Sequence, residues 1–190
     1  MTCIVGIVDD STVHIGCDSM SGYENNCTFH PRKKIFKKDD MFLFGICGSY
    51  AVADVIEHLF YPPKLPENQN AAVYMRVKFI PELRRCLEDY GVVKHNEGSK
   101  IFPASFLIGF DGVLFLVQND FSVLEITESG GAVGSGEVSA NAVLFDYHKH
   151  RPESVKATDK LKAALEASGY CVLDVGGDLH FDSVTKISCK

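Results

Sequence analysis

Polar positions cut this chain into short apolar runs, and the runs follow two different periods. Cys3, Ile4, Val5, Ile7 and Val8 crowd residues 2–8, which predicts a buried strand at the very start. The acidic DDST supplies a turn and Val13 to Cys17 a second strand, so the pair reads as a hairpin. Residues 19–33 are polar, hold Gly22, Asn25, Asn26 and Pro31, and predict a loop. KIFKK and MFLFGIC predict a second hairpin around Asp39 and Asp40. The period then changes. Val52, Val55, Ile56 and Leu59 repeat at i, i+3, i+4 and i+7, one face of a helix over 50–60. PPKLPENQN breaks it. A second helix covers roughly 71–90, with Tyr74, Val77, Leu83 and Cys86 inward and Pro81 as a kink. KHNEGSK reads as a loop. Strands follow at 104–109 and 112–118, joined by the turn signal DG, and at 122–127. After GGAVGSG come a helix at 137–148, a linker through Pro152, a helix at 154–168, and strands near 170–174 and 179–187.

The order is strands, two helices, strands, two helices, strands. Helices bunched between groups of hairpins do not make βαβ units; they predict an α+β fold of antiparallel sheets with helices on the outer faces. At 190 residues the chain suits one domain, residues 1–190, with no repeat and no low-complexity tail.

Composition narrows the functional classes. Apolar residues make up 46% and charged residues 23%, as in an ordinary globular protein. A net charge of −6 and a single short basic cluster (Arg32, Lys33, Lys34, Lys37, Lys38) argue against nucleic acid as a partner. No apolar run approaches the roughly 20 residues of a membrane span, and the acids at Asp9 and Asp10 do not suit a signal peptide. The seven cysteines are scattered without a CxxC pair, so reduced thiols in a cytoplasmic protein are expected, with no disulfide framework and no zinc site. His148 and His150 flank Lys149 without a partner at metal spacing and read as surface residues; no cofactor is expected.

Thr2 carries the first candidate chemistry. If Met1 is removed, Thr2 presents a hydroxyl and a free α-amine whose ordinary pKa of about 7.7–8.0 suits a general base near neutrality. Strand alternation turns the neighbouring Cys3 to the opposite face. Three further features follow in order: Asp18 ends the second strand, Lys34 begins the third, and the glycine turn FGICGS ends the fourth and opens a helix. With Thr2 as position one, Asp18 falls at seventeen and Lys34 at thirty-three. Taken singly, each residue also has a plain structural role: Asp18 in a turn, Lys34 as a solvated charge, Gly45 and Gly48 as packing glycines, Ser135 as a helix N-cap.

This spacing resembles the proteasome β-subunit family of N-terminal nucleophile (Ntn) hydrolases, including its simpler bacterial and phage members, over most of the chain. A second signature, GAVGSGEVSANAVL, looks like the family's glycine–serine–glycine entry to its third helix. The resemblance implies a four-layer αββα sandwich and a threonine peptidase. Thr2 would attack a peptide carbonyl and its amine would take the proton. Lys34 would keep that amine neutral and lower the hydroxyl's pKa, Asp18 would fix Lys34, Gly45 or its neighbours would donate an N–H to the oxyanion, and Ser135 would orient the amine. It also implies a substrate pocket of Ser21, Arg32, Leu43 and Cys47 that favours medium apolar residues and tolerates acids. The partners implied are a peptide or unfolded protein as substrate and a homo-oligomeric ring of six or seven subunits, open to stacking as two rings and to an ATPase partner. The pattern departs in one place: where active members carry an acid and a serine before a glycine pair, Val172 and Val175 precede Gly176 and Gly177, with Asp174 nearby. Two alternatives therefore stand beside the peptidase, a catalytically silent structural subunit or scaffold and a small-molecule Ntn amidase.

Overall fold

The computed structural model describes residues 2–23, 26–29, 32–66, 69–96, 99–127, 129–150 and 154–187; Met1 and the linker at Pro152 lie outside them. Strand β1 (Cys3–Asp9) turns at once into β2 (Thr12–Asp18). The turn residues Asp10 and Ser11 have φ of 44° and 61°, the two left-handed positions that match the twist of a two-residue hairpin. The same device joins β9 (Ala104–Phe110) to β10 (Val113–Val117) through Asp111 and Gly112. Asp39 and Asp40, both with positive φ, open the turn between β5 (Ile35–Lys38) and β6 (Phe42–Gly48). Aspartate suits these places because its short polar side chain tolerates the left-handed region.

Four assignments change, two of them to hairpins. The polar stretch expected to be a loop carries a hairpin, β3 (Met20–Tyr23) with β4 (Asn26–Phe29), and KHNEGSK holds β7 (Lys94–Asn96) with β8 (Ser99–Ile101). These strands lack apolar alternation, so periodicity gave no sign of them. Beyond β11 (Val123–Ile126), the glycine-rich GGAVG is also a strand, β12 (Gly131–Gly134), which pairs antiparallel with β1. The strand expected near 170–174 is instead the end of helix α5 (Ala157–Cys171) and a turn; the last strand is β13 (Leu179–Thr185).

Two antiparallel sheets result, ordered β12-β1-β2-β13 and β11-β10-β9-β6-β5. Their facing sides share a core of Ile4, Val13, Ile15, Leu43, Leu107, Leu114, Val133 and Val184. The first sheet turns Cys3, Val5 and Ile7 outward against α4 (Glu137–His150) and α5. The second turns Phe42, Phe44, Phe106, Ile108 and Phe110 outward against α1 (Tyr50–Asp54), α2 (Ala71–Tyr74) and α3 (Ile80–Asp89). Aromatics dominate that layer: Phe42 stacks on Phe110 with ring centroids 4.4 Å apart. The layering is the expected αββα sandwich of antiparallel sheets.

The helices over the second sheet contain π turns, Val55–Leu59 after α1 and Met75–Phe79 after α2. In the first, the Phe60 N–H reaches back to the Val55 carbonyl, an i→i+5 bond. A wider turn rotates every later side chain backward on the helix surface. Leu59 and Val77, expected inward from a 3.6-residue period, are therefore 41% and 53% exposed, while Phe60 and Phe79 are buried in their stead. Pro81, where a kink was expected, follows directly on the second π turn: Phe79 is itself helical (φ −65°, ψ −55°), so the helix runs on from the π turn into α3 with Pro81 in its first turn.

Candidate active site

Because β1 begins the chain's first sheet at Cys3, Thr2 stands at the end of the sandwich, buried except for 9% of its surface. β12 pairs with β1 up to the Cys3–Gly134 register, which carries Gly134 and Ser135 directly past Thr2. Gly134 has φ +104°, and a Cβ there would lie 2.2 Å from the Thr2 carbonyl oxygen, so only glycine lets β12 pass. The Thr2 N–H donates to Ser135 Oγ at 3.2 Å, and that hydroxyl donates back to the Thr2 carbonyl at 3.2 Å. Serine thereby grips both backbone groups of one residue.

Asp18, at the end of β2, is fully buried, and its carboxylate is answered on both oxygens. Oδ1 accepts the Cys3 N–H at 3.0 Å and Lys34 Nζ at 2.7 Å; Oδ2 accepts the Gly176 N–H at 3.2 Å. Lys34 enters from the residue before β5 and spends a second donor on the Met20 carbonyl at 2.5 Å. Both side chains are sealed from solvent, 3% and 0% exposed. A charge pair at this depth persists because both carboxylate oxygens and two of the ammonium protons find partners. Lys34 is thus a buried ion pair rather than a solvated charge.

Thr2, Lys34, Gly134 and Ser135 line a cavity of about 310 Å3. Ser21, Arg32, Lys33, Phe36, Ile46, Cys47, Gly48, Ser49, Tyr50 and Ala53 complete it. Across its mouth the Ser21 and Tyr50 hydroxyls hydrogen-bond, and the Arg32 guanidinium lies 5.6 Å from the Tyr50 ring centroid. Arg32 also bonds Asp54 Oδ1 at 2.5 Å and Glu57 Oε2 at 3.0 Å. Arg32, the one cation of the pocket expected to tolerate acids, therefore already faces two carboxylates. Burial raises the Cys47 thiol's pKa above its ordinary value and pushes the Cys3 thiol up to about 11, so both stay protonated near neutrality.

Of the expected site residues, Thr2, Ser21, Arg32, Lys34, Cys47 and Ser135 meet at this cavity, and Asp18 supports it from behind. Two do not. Leu43 is wholly buried between the sheets, because alternation along β6 turns it inward. Gly45 also faces that interface: a Cβ there would sit 2.6 Å from Ile4 Cγ2 and 3.1 Å from Ile15 Cγ2. It is a packing glycine. Its neighbour Gly48 lines the cavity instead, with φ +112° and no room for a Cβ beside the Pro103 carbonyl. Val175 packs under α5, with Val172 partly buried beside it, and neither lines the cavity. Phe36, Ile46 and Tyr50 are pocket residues the sequence reading missed. Only the helix-side face of β6, marked by Phe42, Phe44 and Ile46 at every second position, pointed toward Ile46. Among the described residues no cluster of His, Cys, Asp and Glu could hold a metal, and no helix is long and apolar enough to cross a membrane.

No protein-family profile matches the sequence, and no curated protein does either. Solved structures do. BPH from Thiobacillus denitrificans superposes with a TM-score of 0.77 at 18% identity, covering 97% of this chain and 98% of that one; its complex with epoxomicin gives the same score and identity over 99% and 100%. Eukaryotic HslV from Trypanosoma brucei gives 0.68 at 16% identity, over 96% and 99%. A Gly-1 mutant of Anbu from Hyphomicrobium sp. strain MC1 gives 0.66 at 15%, over 95% and 80%. These proteins are proteasome-type Ntn hydrolases, and identities this low speak for the fold. Layer order, sheet pairing and the superpositions agree: this chain has the proteasome-type N-terminal nucleophile hydrolase fold.

Proposed function

We propose that this protein is a threonine-type peptidase whose mature N-terminus is Thr2, working inside a homo-oligomeric ring in the cytoplasm. One observation carries the reading: Thr2 lines a cavity together with Lys34, which is ion-paired to the buried Asp18 behind it, and with a serine bonded to the Thr2 nitrogen. Removal of Met1 turns that nitrogen into an α-amine already held by Ser135. The amine takes the proton of Oγ as the oxygen attacks a peptide carbonyl, then returns it to the leaving amine; water later hydrolyses the ester by the same route. Lys34, with two donors committed to Asp18 and Met20, offers its third to the Thr2 oxygen and stabilises the developing alkoxide. Gly48 replaces Gly45 as the proposed oxyanion donor, since it lies on the cavity wall. The pocket's Phe36, Ile46, Cys47 and Ala53 favour a medium apolar side chain before the cleaved bond.

The silent-scaffold alternative draws on Val172 and Val175, which put apolar packing where an acid and a serine were expected. Intact mass followed by a fluorogenic peptide panel separates the readings. Loss of Met1 with cleavage that disappears in Thr2→Ala supports the peptidase; a retained Met1, or equal cleavage by both proteins, refutes it.

A further inference from the structure

Behind Thr2 lies a buried polar cluster that the proposed chemistry leaves unused. Ser168, on α5, is completely buried. Its Oγ lies 2.9 Å from the Ala164 carbonyl and 2.9 Å from the Gly136 carbonyl, so its one proton serves one of them at a time. The same oxygen accepts from Cys3 Sγ at 3.4 Å and from Ser139 Oγ at 3.2 Å. A helical serine satisfied only by the carbonyl four residues back would be ordinary. Here the hydroxyl instead ties three elements together: α5, the first turn of α4, and β1 at the residue next to Thr2. Gly136 is pinned between them. A Cβ on it would lie 2.8 Å from Ser168 Cβ, 2.9 Å from Cys3 Cβ and 3.0 Å from Cys3 Sγ. Gly136 directly follows Ser135, whose Oγ grips Thr2. Cys3 is anchored on its other side as well, its N–H on Asp18.

We propose that Ser168 is a positioning residue, which acts through Gly136 and Cys3 to hold the Ser135 hydroxyl on the Thr2 nitrogen. This rests on the reading of Thr2 as the mature N-terminus. When Ser168 Oγ is removed, the Gly136 carbonyl keeps its bonds from Ser139 Oγ and the Ala140 N–H, so the fold survives. What is lost is the tie to Cys3 and α5, and with it the fixed distance from Ser135 to Thr2. Released from that acceptor, the α-amine holds its proton less tightly.

The test uses Ser168→Ala and Ser168→Cys in protein whose Thr2 N-terminus is verified by intact mass. The amine is titrated directly, by following its reaction with an acylating reagent against pH and reading the mass of the N-terminal peptide. In Ser168→Ala its midpoint falls by half a pH unit or more. Peptide kcat drops at least tenfold while KM changes less than twofold, and Ser168→Cys, which keeps a weak donor, recovers part of both. A midpoint and kcat unchanged in both variants, whatever happens to the melting temperature, overturn the proposal. The titration also separates it from the peptidase reading. If wild type and Thr2→Ala cleave equally but the midpoint still moves, the positioning role stands and the peptidase falls. Should Ser168→Ala fail to fold, Cys3→Ala, which removes the β1 end of the same tie, decides in its place: a wild-type midpoint and kcat in that variant refute the tie.

Discussion

Three donors converge on the buried Asp18 carboxylate, and only Lys34 among them carries charge. Removing Lys34 strands that carboxylate in a dry site, which costs about 3–5 kcal/mol. Lys34→Ala should therefore lower the urea midpoint markedly and also abolish cleavage. Thr2→Ala should lose activity by on the order of 10³-fold or more with its midpoint unchanged, and Thr2→Ser should retain some turnover. Because the residues act as a unit, the double variant should be no slower than either single one; strictly additive losses in kcat would refute that coupling. Gly45 provides a contrasting case. Its Cβ clash with Ile4 and Ile15 is overpacking, so Gly45→Ala should cost about 1–3 kcal/mol in chemical denaturation.

At the scale of elements, α1 lends Tyr50 and Ala53 to the pocket, and Arg32, in the segment before β5, bonds to that helix and to the π turn after it. Its guanidinium reaches Asp54, the last residue of α1, and Glu57, within the π turn. These bonds are a third to a half exposed, so they add little stability, but they decide the charge a substrate meets. If the cavity takes the substrate as proposed, both carboxylates offset the Arg32 charge there and acids should not be favoured. The Asp54→Asn, Glu57→Gln double variant unmasks Arg32, and the ratio of cleavage after Glu to cleavage after Leu should rise about tenfold, a difference of about 1.4 kcal/mol. An unchanged ratio across matched peptides would show that Arg32 does not face the substrate.

For the whole molecule, burial of titrating groups sets the alkaline limit of stability. Cys3 and Cys17 are both fully buried, and desolvation raises each thiol from 9.0 to about 11. The protonated form is favoured in the folded state, so the unfolded chain ionises first. Stability should be level below pH 9 and fall between pH 9 and about 11, by up to about 1.4 kcal/mol per pH unit for each thiol. Urea denaturation at a series of pH values measures this, and Cys17→Ala should make the slope shallower. Assembly is the other whole-molecule expectation. Tyr61 and Tyr90 stand 77% and 53% exposed beside the second sheet's helices, and Tyr170 and Leu173 stand 93% and 94% exposed at the end of α5. Light scattering should return at least six times the 20.9 kDa subunit mass. A monodisperse monomer at micromolar concentration would contradict a ring.

The sequence by itself determined what is local. Paired left-handed residues at Asp10–Ser11 and Asp111–Gly112 force tight hairpins wherever they occur, and apolar periods mark helices within a few turns. Thr2, Asp18 and Lys34 were legible together only through their resemblance to the proteasome-type spacing: the β1–β2 hairpin brings Asp18 back beside Cys3, whereas Lys34 reaches it from the residue before β5, in the other sheet. Only the tertiary structure decided which way each residue faces. One residue's step along β6 separates Leu43 and Gly45, inside the sandwich, from the outward Phe44 and Ile46, and identity alone does not say which side holds the substrate. The π turns shifted Leu59 and Val77 outward because an extra residue per turn leaves no mark on a 3.6-residue pattern. Gly131–Gly134 became a strand only because β1 offered it an edge, and Ser168 acquired its partners from Cys3 and Gly136, more than thirty residues away along the chain. Such contacts depend on how layers pack, and no window of neighbouring residues contains that information.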